Sequence, residues 1–583
     1  MEWLVVVRFC SRFSVAIRLV PKLAASSDNR ARAVCCYMHI RTRSLVMPPL
    51  LWRHLAFSPR SKEWMMNKAD KLKQAVRTLF RTCNDMVDKM HLVDAIQRLG
   101  IDHLFQEEIS STLSDINGSQ FASNSLHEVA LRFRLLRENG FWVSPDVFKI
   151  FKGEDVRFTD AISNEPRGLL SLYNGAHLLV HDETELVEAI SFARDHLQSI
   201  CDSSELKPPL ADQVKRALDL PLPRAYKRME ALHYMFEYGQ EEGHIVVLLD
   251  LAKLEFNLLQ HVHLKELKSF SQYASFLDIY TYTKWWKDLY GNMGLSYIRD
   301  RAVESYVWSN MVFYEEDLAV TRMVFAKLFV LAVIMDDIYD CHANIEECRK
   351  LHEAIQRWDE SAISFLPDYM KTLYNEIMNN FKEFEDQVGV KGRYRVAQTK
   401  KEFQKLSTYY LQESEWSHQN HKPSFKEQME LSTMTAGGPL LCVCTTVGQD
   451  DTLTKEAFEW AASDTGAIRA YAKILRFMND VAAFKSRRKN KGDMSSTVEC
   501  YMNEHNVTSE VAIAKINSLI EDEWKTINQA RFERRELLPA VHRVVNLCVC
   551  VMFFYDDKKK DAYTFSSNLR ETIESLFVNP IPM

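Results

Sequence analysis

From about Met47 onward, apolar residues recur at intervals of three and four, the spacing that lays one stripe along an α-helix, and this periodicity governs what the chain can become. Only 17 glycines and 16 prolines interrupt its 583 residues. Leu131 to Arg137, Leu186 to Ile200, Ile245 to Gln260, Val320 to Met335 and Glu456 to Phe484 each read as amphipathic or buried helix. Alternating strand patterns bounded by turn residues are rare, so the expected fold class is all-α. The length exceeds what one core holds and implies two or more domains. Pro208, Pro209, Pro221 and Pro223 cluster where a junction is expected, giving a helical domain over 47–225 and a second over 226–583.

One helix carries an unusual end. Phe325, Phe329, Ala332, Asp336 and Asp340 fall on a single drifting stripe, with Asp337 beside them, so the acidic motif DDIYD continues the face that should enter a core. Like charges three or four apart weaken a helix by only about 0.2–0.5 kcal/mol, but an unpaired buried carboxylate costs several. Two readings of the motif alone stand: a solvated acidic turn, or hard oxygen ligands for Mg²⁺, which is commonly shared between one or two carboxylates, water and substrate phosphates.

Upstream lie Arg299 and Arg301, separated by Asp300. They make either a surface ion-pair patch or, at a helix end or in a loop, two guanidinium forks for one phosphate group. Downstream, Arg476, Asn479, Ala483 and Arg487 share a helix face flanked by Asp480. Asn479 and Asp480 offer oxygen, whereas Ala483 and Arg487 do not, and an ordinary polar face explains this stretch equally well. No glycine-rich phosphate loop of either common pattern occurs, and Gly437-Gly438 reads as a helix break. Phosphate, if held, is held by metal and arginine. Trp308, Tyr555, Tyr563 and Trp285-Trp286 are core aromatics or the wall of a pocket suited to carbocations, where ring faces contribute about 0.5–2 kcal/mol per contact. Asp561 and Tyr563 form either a polar dyad at such a wall or a solvated turn after Lys558 to Lys560.

Mixed charge, net −6, with no long basic stripe argues against nucleic acid. No run of 18 apolar residues occurs, so no membrane span is expected. The 12 cysteines, including the pairs Cys442/Cys444 and Cys548/Cys550, lack zinc spacing and read as reduced core thiols. Residues 1–46 carry Arg8, Arg12, Arg18, Lys22, Arg30, Arg32, Arg41 and Arg43 against Glu2 and Asp28, the bias of an organellar transit peptide or of an untranslated leader joined to the gene.

In this order, RGLLSLYNGAHLLVH at Arg167, LPLPRAYKRMEALHYM at Leu220, IRDRAVESYVW at Ile298, DDIYD at Asp336 and ECYMNEHNVT at Glu499 make the chain similar to plant terpene synthases, sesquiterpene type, from Pro48 to the end. The resemblance implies an N-terminal α-helical barrel without chemistry of its own and a C-terminal class I helical bundle holding the active site. It further implies Mg²⁺, or Mn²⁺, bound by Asp336, Asp337 and Asp340, and diphosphate bound by Arg299, Arg301 and Arg476. Trp308, Tyr555, Asp561 and Tyr563 would be cavity residues. The implied substrate is a prenyl diphosphate, most often farnesyl diphosphate, with geranyl diphosphate the alternative, processed by a cytoplasmic monomer, or a plastid one if the leader is a transit peptide. Of the family's second metal motif only Asn479 remains, since Ala483 and Arg487 stand at its two other oxygen donors. Tyr273 to Thr283 reads as an insertion, the Tyr555 to Asp561 segment as one residue long, and the arginine tandem before Trp52 as reduced to Arg43.

Overall fold

The computed structural model describes residues 62–154, 157–203, 206–270, 301–449, 452–486, 496–555, 561–564 and 569–583. Among them the regular elements are helices, with a lone antiparallel bridge between Lys152 and Phe158. The described residues all belong to one compact unit. The basic leader, Trp285-Trp286, Arg299, Arg487 and the stretch 273–283 lie outside the described residues.

The helices needed for the argument are α1 (Met86–Arg98), α2 (Leu126–Glu138), α3 (Lys227–Tyr238), α4 (Ala302–Val312), α5 (Ala319–Asp337), α6 (Asp368–His418), α7 (Phe425–Thr435), α8 (Gly466–Lys485), α9 (Thr497–His505) and α10 (Leu538–Phe554). Three of the five expected helical stretches fall inside helices, and a fourth, Ile245 to Gln260, starts one residue before the helix Val246–Phe270. The fifth, Glu456 to Phe484, is two: a short helix Lys455–Ala461, then α8, because Thr465 caps a new N-terminus by accepting the Ile468 N–H at 3.3 Å. The prolines at 208–223 bracket the helix Leu210–Asp219.

The described helices between residues 62 and 220 dock closely on those that follow. Lys68 pairs with Asp250 at 3.1 Å, the Asn528 amide donates to the carbonyls of His177 and Leu179 at 3.0 Å, and Arg531 donates to the Glu138 carbonyl at 3.0 Å. Helices Glu316–His342 and Arg535–Phe554 are long and apolar enough to cross a membrane, but 67% of the apolar 18-residue stretch in each is buried inside the protein, as in core helices. Cys442, Cys444, Cys548 and Cys550 are buried thiols.

Two features shape the core around the later site. α6 is broken at Gly389, whose φ of +65° suits a residue without a Cβ. After α7 the chain turns at Gly437, φ +76°, and at Gly438 it passes so close to α8 that an added Cβ would sit 2.7 Å from the Ala472 Cβ. The helix break read from Gly437-Gly438 is therefore a close crossing as well as a turn.

Candidate active site

A cavity of about 770 Å³ opens among α4, α5, α6, α7, α8 and α9. Its apolar wall begins with Trp308 of α4, which stacks on Phe554 at 4.9 Å between ring centres and meets Tyr563 edge-on at 5.9 Å. Phe329, Tyr555 and Tyr563 line the same wall. Trp308, Tyr555 and Tyr563 are themselves buried, and cation–π attraction is strongest at such desolvated quadrupolar faces.

The opposite end is acidic because of how α5 finishes. Its apolar face from Phe325 to Met335 is core, and Asp337 is buried with it, while Asp336 is half-buried and Asp340 exposed. Beyond Asp337 the helix widens, with the Ala343 N–H donating to the Ile338 carbonyl five residues back at 2.9 Å. That wide turn, a form common at functional sites, carries Asp340 on the same rim, and all three aspartates line the cavity. The Asn344–Glu347 capping box then starts the next helix.

Across from this rim, α6 contributes Tyr410 and Glu413, and α8 contributes Arg476, Asn479, Asp480 and Ala483. Burial, reinforced by Asp336 and Asp340, raises the Tyr410 phenol well above its ordinary range. Glu413 is pushed up to about 7 by burial, with Arg476 opposing and Asp336 and Asp480 adding to the rise. Arg476 is raised: burial works against its charge, but Asp480, Glu413 and Asp336 overcome it. The guanidinium is fixed by donating to the Ser432 carbonyl at 2.8 Å, the Thr435 hydroxyl at 3.2 Å and Asp480 at 3.4 Å. Each shift reports one condition, a surplus of negative charge in a partly dry cavity.

That surplus is the test of whether a divalent cation fits. The donors on the α5 rim are all carboxylate oxygens, hard ligands matched to Mg²⁺ or Mn²⁺. Among the described residues no three His, Cys, Asp or Glu side chains converge closely enough to hold a metal ion by themselves. An open rim that leaves coordination positions for water and substrate oxygens is the arrangement expected for Mg²⁺ bound together with a phosphate substrate. The α5 rim therefore fits.

Of the other sequence-derived candidates, Tyr555 and Tyr563 stand on the cavity wall and Asp561 lies behind it, fully buried, accepting the Thr564 N–H at 2.8 Å. The alternative of a solvated turn for Asp561 and Tyr563 is thereby excluded. Arg301 immediately precedes α4 and is also buried. It donates to the Thr564 carbonyl at 2.9 Å, approaches Glu304 at 3.5 Å and lies 5.5 Å from the Tyr563 ring, so it sits beside the wall rather than on the lining. Glu413, Tyr410, Glu499 and Glu510 line the cavity without having been singled out in the sequence.

The comparisons agree with this geometry. Residues 51–218 match the family described as "Terpene synthase, N-terminal domain", and residues 287–526 match "Terpene synthase family, metal binding domain". A "Tau-cadinol synthase" of Zea mays is 49% identical over 92% of this chain and 98% of that protein, and an "Alpha-humulene synthase" of Zingiber zerumbet is 36% identical over 92% and 96%. The crystal structure of isoprene synthase from grey poplar, in complex with three Mg²⁺ ions and dimethylallyl-S-thiolodiphosphate, superposes with a TM-score of 0.78 at 28% identity, covering 90% of this chain and 99% of that one. The chain belongs to the terpene synthase family and carries both its N-terminal and its metal-binding domain.

Proposed function

We propose that this protein is a Mg²⁺-dependent sesquiterpene synthase that ionises farnesyl diphosphate, closes or rearranges the resulting allylic cation and releases diphosphate. The observation that carries the reading is the polarity of one cavity: a carboxylate rim at one end, aromatic rings at the other. The names of relatives at 36–49% identity, which make cadinol, humulene and similar skeletons, support the fifteen-carbon substrate.

Asp336, Asp337 and Asp340 would hold the metal, which supplies Lewis-acid stabilisation of the leaving diphosphate. Arg476 is held rigidly toward the same end by Ser432 and Thr435, so it faces developing negative charge without reorganising. One opposite unit charge at about 4 Å is worth about 4 kcal/mol at an effective dielectric near 20, so a few such contacts lower the barrier substantially. Arg299 and Arg301 would act on the same leaving group, Arg301 by a side-chain movement away from Thr564. The rings of Trp308, Phe329, Tyr555 and Tyr563 would stabilise the cation and exclude the water that quenches it. The N-terminal helical part, ending near residue 225, is assigned no chemistry.

The test is incubation of the protein with geranyl, farnesyl and geranylgeranyl diphosphate, with and without Mg²⁺, and identification of volatiles by mass spectrometry. Metal-dependent fifteen-carbon product from farnesyl diphosphate is the expected outcome. Ten-carbon product alone would make it a monoterpene synthase, and no product from any of the three would leave a non-catalytic homologue.

A further inference from the structure

The carboxylates of the α5 rim need to be aimed as well as gathered, and we infer that the Tyr410 hydroxyl aims them: it is a positioning residue on α6 that donates a hydrogen bond to the rim while the rim holds an ion. The inference rests on the metal and diphosphate reading above and adds which uncharged side chain orients the ligands.

The placement of Tyr410 follows from the face of α6 on which it stands. Ser407, Tyr410 and Ser414 are spaced i, i+3 and i+7, so they share that face. Both serines grip the wide turn Ile338–His342: the Ser407 and Tyr339 hydroxyls meet at 2.9 Å, and Ser414 donates to the Tyr339 carbonyl at 3.5 Å. Tyr339 stands between Asp337 and Asp340, and its ring centre lies 5.7 Å from that of Tyr410. Tyr410 is thus pinned, from the helical turn before it and the turn after it, against the segment that carries the rim, and it lines the cavity there.

Its hydroxyl is uncommitted. Tyr410 is 5% exposed, and its oxygen takes part in no hydrogen bond among the described residues. The charges that bear on it are those of Asp336, Asp340 and Glu413, with Arg476 opposing; burial first, then these carboxylates, raise the phenol well above its ordinary range. It therefore keeps its proton and meets the carboxylates as a donor. A carboxylate oxygen that binds a divalent ion retains a second lone pair, and a donor on that lone pair fixes the direction of the first, as partners behind a ligand commonly do. A guanidinium in that place would repel the ion it helps to hold, whereas a neutral phenol does not.

The test uses the full chain with inorganic pyrophosphate. Mn²⁺ affinity at saturating pyrophosphate is read by electron paramagnetic resonance, and pyrophosphate affinity with metal chelated is read by calorimetry. Tyr410→Phe keeps the ring against Tyr339 and removes only the donor. It should weaken Mn²⁺ about tenfold, leave metal-free pyrophosphate affinity unchanged and not lower the melting temperature. Tyr409→Phe, which alters the adjacent phenol that does not line the cavity, should change neither affinity. Because Glu413 is also within the phenol's electrostatic reach, the tenfold loss should persist when Tyr410→Phe is made in a Glu413→Gln background. Unchanged Mn²⁺ affinity in Tyr410→Phe, a fall in metal-free pyrophosphate affinity, or a loss that vanishes in the Glu413→Gln background would overturn the inference while leaving the diphosphate reading intact. Absence of any Mn²⁺-dependent pyrophosphate binding in the unaltered protein would overturn both.

Discussion

Two cavities of similar size lie in this molecule, and they differ in how their charges are settled. The one in the N-terminal helices, about 840 Å³, is lined by four arginines and five carboxylates, and the one in the C-terminal helices, about 770 Å³, by seven carboxylates against Arg476 and Lys485. In the first, the charges answer one another. Arg134 of α2 bonds Asp94 of α1, while Glu230 of α3 joins Arg98 at 2.8 Å to Arg216 at 3.0 Å. Burial alone would raise the Glu230 carboxyl, yet Arg98 and Arg216 hold it below its ordinary value. In the second, burial and like charge together carry Glu413 up to about 7. A balanced network is structure; an unbalanced one calls for a cation from outside. Cavity volume does not separate the two regions, and charge balance does.

The largest effect should come from reducing the unbalanced rim. Asp337→Asn keeps the shape of a buried side chain that lines the C-terminal cavity and removes one metal ligand. Turnover of farnesyl diphosphate should fall by about 10²–10³-fold, as when one preorganised charge contact is lost, with the melting temperature unchanged or higher. Activity at the unaltered level would end the argument that the rim holds a catalytic metal. The reverse pattern is expected for Glu230→Gln in the balanced cavity, where two arginines would lose a buried partner. Stability should drop by about 3–5 kcal/mol, read from the denaturant midpoint, while kcat/KM of the folded fraction stays within about twofold. Because the folded carboxyl titrates below its ordinary 4.5, its contribution is complete above that pH and is lost as the pH falls through the folded value. The variant should therefore show a flatter loss of stability in acid than the parent chain, and equal slopes would mean that the network is not what the geometry says.

Much of the unbalanced cavity is written locally and much is not. The stripe from Phe325 to Asp340 lies on one helix, so its period alone places the carboxylates at the end of a core helix. Arg476 and Asn479 are legible for the same reason. Glu413 is not. A glutamate on a long amphipathic helix reads as part of its solvated face, and only the packing of α6 across from α5 and α8 turns it inward. Glu499 is masked differently, since the pattern Ser496-x-x-Glu499 is the signature of a helix start and hides a residue that also lines the cavity. Arg301 shows the opposite limit. Its motif announces a guanidinium but not its resting partner, the Thr564 carbonyl, 263 residues away. The fold class was legible because helical period is a short-range property; the division of Glu456 to Phe484 into two helices was missed because a single cap at Thr465 outweighs an otherwise continuous pattern.

The junction between the two regions offers the smallest and most discriminating change. Arg224, near the end of the N-terminal helices, lies buried over the Trp524 ring at 4.7 Å and donates to both oxygens of Glu521 at 2.7 Å. Its partner's side chain is 53% exposed, so water competes for the carboxylate and screens the pair. Glu521→Gln should consequently cost about 1 kcal/mol or less, a shift measurable in the thermal midpoint but without effect on turnover. Arg224→Ala removes packing against Trp524 as well as charge and should cost distinctly more. If the two substitutions cost the same, the junction is held by the ion pair and not by the stacked guanidinium. The balance that distinguishes the two cavities would then extend to the surface between them.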